Sequence, residues 1–416
     1  MTTTLPRQTW LTHPSTVKVM TALSAAGGED CARFVGGCVR NALLRKPVSD
    51  IDIATTLTPD QVTSALRAAG LKAIPTGVEH GTVTAIADRK PFEITTLRRD
   101  VETDGRRAVV AFTTDWAEDA ARRDFRINAL YADQSGTVFD PTGGGLTDLE
   151  ARAIVFVGDA ETRIREDALR ILRFFRFLAW YGRGEPDAVA IEACGKLRDL
   201  VATLSAERVA KEMLTLLGAE DPRTAVRLMA ATGVLGVVLP EAAHLDRFER
   251  LVTIETEQLF TEDALLRLAS MLPDEPARGA ALAERLRLSN AQKTRLSVAL
   301  GTDPPLVSWM SPRQVRQIVY RLGPEAFCDR ITLAWAGAER QGAAMQWRAL
   351  LPLARGWTAP TLPLNGEEVA AAGVPKGPMV GAVLREVEAW WVDSDFTLDK
   401  LSIIERLKSV VQGMVY

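Results

Sequence analysis

Apolar residues in the first part of the chain recur alternately at helical and at strand spacing. This pattern predicts helices at 15–26, 39–45 and 58–69, and strands at 31–35, 50–56, 72–75, 82–87 and 92–97. Thr58-Pro59 supplies a cap and a first-turn proline for the third of these helices. The chain is therefore expected to begin with a mixed α/β region.

The rest of the chain lacks this alternation. Residues 99–107 are rich in charge and contain Asp104-Gly105, which predicts a mobile loop. From about residue 161 onward, leucine, alanine and arginine recur at helical spacing, interrupted by turn signals such as Gly218 and Pro240. We therefore predict an α+β fold, in which a mixed sheet with helices precedes an all-α remainder.

Composition narrows the class of protein. At 416 residues the chain is too long for one core, and its 47% hydrophobic and 25% charged residues are typical of a soluble globular protein. No apolar run approaches a membrane span, and the N-terminus lacks the features of a secretory signal, so we expect a cytoplasmic protein. The net charge of −3 disfavours nonspecific coating of nucleic acid. Neither a disulfide framework nor a zinc site is predicted, because the candidate residues are few and scattered: Cys31, Cys38, Cys194, Cys328, His13, His80 and His244.

The first chemical motif is a pair of aspartates behind a double-glycine turn. On a strand, the period of two places Asp50 and Asp52 on one face and the intervening isoleucines on the core side. Gly36-Gly37 would let backbone amides approach a triphosphate, and Arg40 would add a charged fork. Carboxylates for a metal beside amides and a cation for phosphates are what a magnesium-nucleotide site needs. A tight turn with a solvated acidic pair is the alternative.

The second motif is Arg122-Arg123-Asp124, which runs into an apolar segment containing Asn128. Arg123 could reach a triphosphate while Asp124 and Asn128 fix the local backbone. An isolated motif of this kind is more often a helix end with a surface salt bridge.

The third motif is a row of arginines on an otherwise apolar helix. Arg170, Arg173 and Arg176 follow one another at three-residue spacing, with Asp167 one step ahead. Such a row must face a polar cleft or solvent, because burying unpaired guanidinium groups is costly. A carboxylate that accepts from an exocyclic amine, beside a guanidinium that donates to a ring acceptor, fits cytosine or adenine and rejects uracil and guanine. Asp167 and Arg170 could therefore select C or A if both face a nucleotide.

Together, in this order and spacing, the three motifs resemble the class II CCA-adding enzymes, the tRNA nucleotidyltransferases of the polymerase β superfamily. Glu207-Arg208 and Lys211-Glu212 extend the similarity. The resemblance implies a polymerase β-like catalytic head at 1–157, a base-reading helical neck at 158–217, a helical body at 218–307 and a tRNA-binding helical tail at 308–416.

The resemblance also implies roles for individual residues. Asp50 and Asp52 would be catalytic and would bind two Mg²⁺ ions. The expected nucleotide-binding residues are Gly36, Gly37, Arg40 and Arg123 for the triphosphate, Asp167 and Arg170 for the base, and Arg173 and Arg176 for the rest of the pocket. CTP and ATP would be the substrates, and the acceptor arm and 3′ end of tRNA would be the partner. C, C and A would be added without a template nucleic acid. No membrane is expected as a partner.

Two positions depart from the family pattern, and several functions remain open. Asn41 stands where the family usually has aspartate, and Arg126 where it usually has threonine. Glu93 is either a third carboxylate of the site or a structural residue. The nearest alternatives are a poly(A) polymerase and a partial enzyme that adds only CC or only A. A noncatalytic RNA-binding protein and a sugar transferase with an Asp-x-Asp metal site are more distant ones.

Overall fold

The computed structural model describes residues 3–77, 81–104, 107–338 and 343–413, and the side chains of these residues except those of 100–110. His80 lies outside the described residues. The chain forms two compact units, Met1–Pro240 and Glu241–Tyr416. The finer division into head, neck, body and tail stays a prediction.

The first unit is built on a mixed sheet of seven strands within the described residues, in the order β3-β4-β5-β2-β1-β8-β9. β6 and β7 form a separate hairpin. The strands are β1 (Ala32–Val35), β2 (Asp52–Thr55), β3 (Lys72–Gly77), β4 (Thr82–Ala87), β5 (Lys90–Thr96), β6 (Arg98–Asp104), β7 (Arg107–Phe112), β8 (Tyr131–Ala132) and β9 (Val138–Phe139). β2 runs antiparallel to β1 and parallel to β5. Phe34, Ile53 and Ile94 are fully buried on three adjacent strands, so the apolar face of this sheet forms the core.

Helices surround this sheet and continue beyond it. They are α1 (Pro14–Gly27), α2 (Gly37–Leu43), α3 (Pro59–Ala68), α4 (Trp116–Ala121), α5 (Gly145–Ala151), α6 (Ala160–Glu166), α7 (Leu169–Tyr181), α8 (Ala188–Lys196), α9 (Ala206–Leu217), α10 (Arg223–Ala231) and α11 (Val234–Val238). The Thr58 hydroxyl accepts from the backbone N–H of Gln61 in a capping box, and Pro59 opens α3, as the sequence predicts.

The second unit is helical throughout its described residues. Its helices are α12 (Leu245–Gln258), α13 (Ala264–Ser270), α14 (Pro276–Arg285), α15 (Asn290–Ala299), α16 (Pro312–Leu322), α17 (Pro324–Gly337), α18 (Ala344–Arg355), α19 (Gly366–Ala371), α20 (Pro378–Asp393) and α21 (Lys400–Gly413). The predicted α+β class is therefore confirmed. In the described part of the chain, the search for a helix that could span a membrane finds none.

Three local predictions differ from the structure. The strand predicted at 50–56 begins at Asp52, so Asp50 precedes it. The segment predicted as a mobile loop at 99–107 lies largely in the β6–β7 hairpin, where Asp104 pairs with Arg107. Gly105 and Arg106 lie outside the described residues. The arginine helix begins at Leu169, so Asp167 precedes it, and its carboxylate accepts from the backbone N–H of Leu169 at 3.1 Å.

Candidate active site

The two aspartates of the first motif lie at the start of β2. Asp52 is its first residue, and the following Ile53 is fully buried, as the period of two requires. The parallel pairing of β2 with β5 places Glu93 directly beside Asp52. Asp50 is exposed and accepts a hydrogen bond from the Ser49 hydroxyl at 2.9 Å. Asp52 and Glu93 are therefore neighbours on adjacent strands, and Asp50 lies two residues before Asp52 in the chain.

These carboxylates repel one another. Burial raises the pKa of Asp52 to about 6, and the charges of Glu93 and Asp50 act in the same direction. Arg123 and Arg40 partly offset the shift, so both guanidinium groups act on this carboxylate. The site therefore concentrates negative charge beside positive charge.

A divalent cation would relieve the repulsion. Among the described residues, no set of three or more His, Cys, Asp or Glu side chains forms a ready coordination group. Mg²⁺, however, usually takes one or two protein carboxylates and fills its other positions with phosphate oxygens and water. The donor set at Asp50 and Asp52 fits that mode of binding.

The double-glycine turn brings the first and second motifs together. Gly36 has a φ of 69°, a conformation that L side chains rarely adopt. A Cβ atom at Gly36 would lie 3.8 Å from Nη1 of Arg123, and one at Gly37 would lie 3.8 Å from Nη2 of Arg40. Both arginines thus lie against the turn, where the missing side chains leave space.

Arg40 is almost fully buried, with 6% of its surface exposed. It donates to the side-chain oxygen of Asn128, to the Tyr181 hydroxyl at 2.8 Å and to the side-chain oxygen of Asn41 at 3.0 and 3.2 Å. Its guanidinium also lies 4.1 Å from the centre of the Tyr181 ring. These partners are neutral, and burial lowers the pKa of Arg40. Asn41, one of the two family departures, therefore gives Arg40 a neutral acceptor where an aspartate would give a charged one.

Asp119 holds the second motif in place. This buried carboxylate of α4 accepts from Arg122 at 2.7 Å, from Arg123 at 2.9 Å and from the Tyr131 hydroxyl at 2.7 Å. Burial alone would raise the pKa of Asp119, but Arg123, Arg122 and Tyr131 lower it to about 2. Asp119 thus fixes the direction of both arginine side chains.

Asp124 and Asn128 connect the second motif to the third. Asp124 is buried and accepts from Asn128 at 2.9 Å and from Nε of Arg173 at 2.8 Å. It also accepts from the backbone N–H of Phe125 at 2.8 Å, so it fixes the local backbone as predicted. Because Asn128 in turn accepts from Arg40, one hydrogen-bonded chain runs from α2 to α7.

Arg176, the last arginine of the predicted row, extends this chain to α9. Nε of Arg176 donates to Glu212 at 2.5 Å, and a guanidinium nitrogen of Arg173 lies 4.0 Å from the same carboxylate. Glu212 is buried, so the two guanidinium groups supply the positive charge that its burial requires.

Asp167 and Arg170 have separate partners. Asp167 forms an ion pair with Arg208 of α9 at 2.8 Å. Arg170 donates to Glu166 at 2.6 Å and to the backbone carbonyl of Arg122 at 3.0 Å. The described contacts therefore tie Arg170 to the second motif and leave Asp167 about one-third exposed beside Arg208.

Arg126, the second family departure, lies beside a carboxylate. Its Nη1 is 3.8 Å from Asp148, the carboxylate oxygen of which is buried without a hydrogen bond in the described structure. A Cβ atom at Gly144 would come within 2.8 Å of the same nitrogen. The extra positive charge is therefore accommodated by Asp148 and by the glycine-rich turn.

Sequence reasoning missed several residues of this site. Asp119 precedes Arg122 and Arg123 by three and four residues in and after α4, a helical spacing that could have revealed it. Tyr131 and Tyr181 carry no local signal, because their contacts arise only when distant segments pack together.

Comparisons with known proteins agree with this architecture. Residues 32–155 match the family described as the poly A polymerase head domain. Residues 186–245 match the family described as the probable RNA and SrmB-binding site of polymerase A.

Relatives extend the similarity over almost the whole chain. The mouse (Mus musculus) protein named CCA tRNA nucleotidyltransferase 1, mitochondrial, is 32% identical over 94% of this chain and 89% of its own length. The CCA-adding enzyme of Levilactobacillus brevis is 31% identical over 96% of this chain and 98% of its own length. A crystal structure of the Bacillus stearothermophilus CCA-adding enzyme in complex with CTP superposes with a TM-score of 0.76 at 26% identity, covering 96% of this chain and 100% of that one.

The match of residues 32–155 and the names of these relatives show that the chain is a nucleotidyltransferase. The extent of the similarity to these relatives then shows that the chain belongs to the class II CCA-adding enzyme family.

Proposed function

We propose that this protein adds C, C and A to the 3′ end of tRNA, using CTP and ATP and no template. The observation that carries this proposal is the pairing of Asp52 with Glu93 on adjacent strands, within electrostatic reach of Arg40 and Arg123. Carboxylates beside buried guanidinium groups can hold a metal-bound triphosphate. The names of the relatives supply the substrate class.

In this proposal, Asp50 and Asp52 would hold two Mg²⁺ ions. The ions would stabilise the charge on the attacking and leaving oxygens. Arg123, with Nη1 directed to the Gly36 turn, and Arg40 bind the triphosphate and orient its α-phosphorus. The tRNA 3′ hydroxyl would pass its proton to water, and its oxygen would form a bond to this phosphorus while the bond to the bridging oxygen breaks and pyrophosphate leaves.

Base selection is assigned to the start of α7. Asp167 would accept from the exocyclic amine of cytosine or adenine, and Arg170 would donate to the ring acceptor. The partial exposure of Asp167 supports this role, because its ion pair with Arg208 leaves part of the carboxylate accessible. Arg173 and Arg176 would support the pocket through their contacts with Asp124 and Glu212.

The decisive experiment uses tRNA that lacks its 3′ CCA. Purified protein is incubated with this tRNA and with CTP, ATP or both, and the products are resolved at single-nucleotide length. We expect two additions with CTP alone and three with both nucleotides. A long adenylate tail would favour a poly(A) polymerase instead. This alternative is tested because residues 32–155 match the poly A polymerase head domain. Addition that stops after C or requires a preformed CC end would indicate a partial enzyme.

The cytoplasmic location stays a prediction, because the mouse relative is a mitochondrial protein by name.

A further inference from the structure

A group of basic side chains lies beside the candidate active site but takes no part in it. Lys46 precedes β2 in the chain, Arg152 follows α5, and Arg183 follows α7. We call these three residues the Lys46 patch. The patch stands out because the whole chain carries a net charge of −3.

Backbone and side-chain contacts place the three elements together at the end of α7. Nζ of Lys46 donates to the backbone carbonyl of Trp180 at 2.9 Å and lies 4.9 Å from the centre of the Tyr181 ring. The backbone N–H of Arg183 donates to the backbone carbonyl of Arg152 at 3.1 Å. The loop before β2 and the segments that follow α5 and α7 thus meet at the end of α7, and each of them carries one cation of the patch.

The charges in this patch are poorly balanced. Burial lowers the pKa of Lys46, and the positive charges of Arg183, Arg152 and Arg40 lower it further, while Glu220 acts in the opposite direction. Within the described residues, Arg152 and Arg183 take part in no ion pair with a carboxylate, and Nη1 of Arg183 donates to the backbone carbonyl of Gly182 at 2.8 Å. Like charges held close together favour binding of an anion that spans them.

The position of the patch indicates which anion fits. Tyr181 contacts Lys46 with its ring and accepts from Arg40 with its hydroxyl, so the patch borders the triphosphate-binding arginine without containing it. Its cations come from three separate elements, an arrangement that suits the repeated charges of a nucleic-acid backbone better than a single phosphate group.

We propose that the Lys46 patch binds the phosphate backbone of the tRNA strand that enters the active site. This inference rests on the proposed function, because it takes tRNA as the substrate. The patch would position the RNA without reading its sequence, since backbone contacts carry no base information.

The test is the salt dependence of tRNA use by the Arg152→Ala/Arg183→Ala double variant. Initial rates of CTP incorporation are measured against the concentration of CCA-less tRNA at several salt concentrations. Each lost phosphate contact should reduce the slope of log KM against log salt by about 1. Loss of two contacts should therefore make the rise in the KM for tRNA between about 50 and 200 mM salt roughly 12-fold smaller. The KM for tRNA should rise at low salt, while kcat and the KM for CTP at saturating tRNA stay unchanged.

Arg67→Ala is the matched control, because Arg67 is an exposed arginine of the same unit at the end of α3. It should leave the salt slope as in the wild type. An unchanged slope in the double variant, or an increase in the KM for CTP in place of that for tRNA, would overturn the proposal. Arg183→Ala alone should produce about half of the change in the slope of log KM against log salt. Because this variant keeps Arg152, its effect cannot come from a folding defect caused by replacing Arg152.

A binding measurement separates this inference from the proposed function. The affinity for fluorescently labelled tRNA is measured by anisotropy without nucleotide, so it does not depend on catalysis. Wild-type protein that binds tRNA through the patch but adds no nucleotide would contradict the proposed function alone. If the wild type adds CCA but binds tRNA no better than the double variant does, only the proposed role of the Lys46 patch is contradicted.

Discussion

Replacing Asp52 by asparagine should make the protein more stable while it abolishes activity. The pKa of Asp52 is raised from 3.8 to about 6 by burial and by the charges of Glu93 and Asp50. Because the folded pKa of Asp52 is raised, its protonated carboxyl contributes to the free energy of unfolding below pH 3.8. This contribution is lost as the pH rises through about 6. At pH 7.5 the ionised carboxylate therefore costs about 3 kcal/mol, at about 1.36 kcal/mol for each unit of pKa.

Asparagine removes this cost because it carries no charge. Since its side chain has nearly the same size, the packing should not change. The assay is urea unfolding of wild type and Asp52→Asn in the presence of a chelator, with separate transitions fitted for residues 1–240 and 241–416. The advantage of the variant in the first transition should fall from about 3 kcal/mol at pH 7.5 to about 1.6 kcal/mol at pH 5, where much of the wild-type carboxyl is protonated. Glu192→Gln, an exposed acid on α8, should change the stability by less than about 0.5 kcal/mol.

Added Mg²⁺ provides the second half of the test. It should stabilise the wild type and leave Asp52→Asn almost unaffected, since a ligand stabilises the state that binds it. A variant that is less stable than the wild type at pH 7.5, or an advantage that does not change with pH, would refute the reasoning from burial and repulsion.

Three further predictions concern the groups around this pair. Asp119→Asn should destabilise the first unit by about 2 kcal/mol at pH 7, because the pKa of Asp119 is about 2 in the folded protein and 3.8 otherwise. In urea unfolding, this loss of stability should disappear as the pH falls from 3.8 toward about 2. In a double-mutant cycle, Asp124→Asn and Arg173→Met should show a coupling of about 1 to 3 kcal/mol, and additive losses would contradict a direct pair. Asp167→Ala should raise incorporation of UTP and GTP relative to CTP and ATP by about 10-fold or more, and unaltered discrimination would remove Asp167 from base selection. Arg208→Ala should have a smaller effect in the same assay, because it leaves the Asp167 carboxylate in place.

Much of the fold could be predicted from local patterns. The alternation at Asp52 and Ile53, and the capping signal at Thr58, depend on neighbouring residues, and the structure shows both. The same local signals failed where one pattern fits two structures. A charge-rich stretch suits a loop or a hairpin such as β6–β7, and Asp167 suits a helix interior by spacing but lies just before the helix in the structure.

The site could be predicted only in part, for a different reason. Its charged residues stand in recognisable motifs, but their partners depend on the packing of distant segments. Arg40 and Tyr181 are 141 positions apart in the chain, and Asp167 and Arg208 are 41 apart. No periodicity links such pairs, so the sequence could indicate which groups are chemically active but not which acceptor fixes each one.

These distant contacts join three motifs into one structure. Asn128 accepts from Arg40 and donates to Asp124, and Asp124 accepts from Arg173, which lies near Glu212. The groups proposed to bind phosphate and those proposed to support the base pocket therefore share buried acceptors. Removing one partner of such a buried pair leaves the other charge uncompensated, so a change at either end is transmitted through the chain of hydrogen bonds. The network thus gives a physical reason for the groups proposed to bind phosphate and those proposed to support the base pocket to act together.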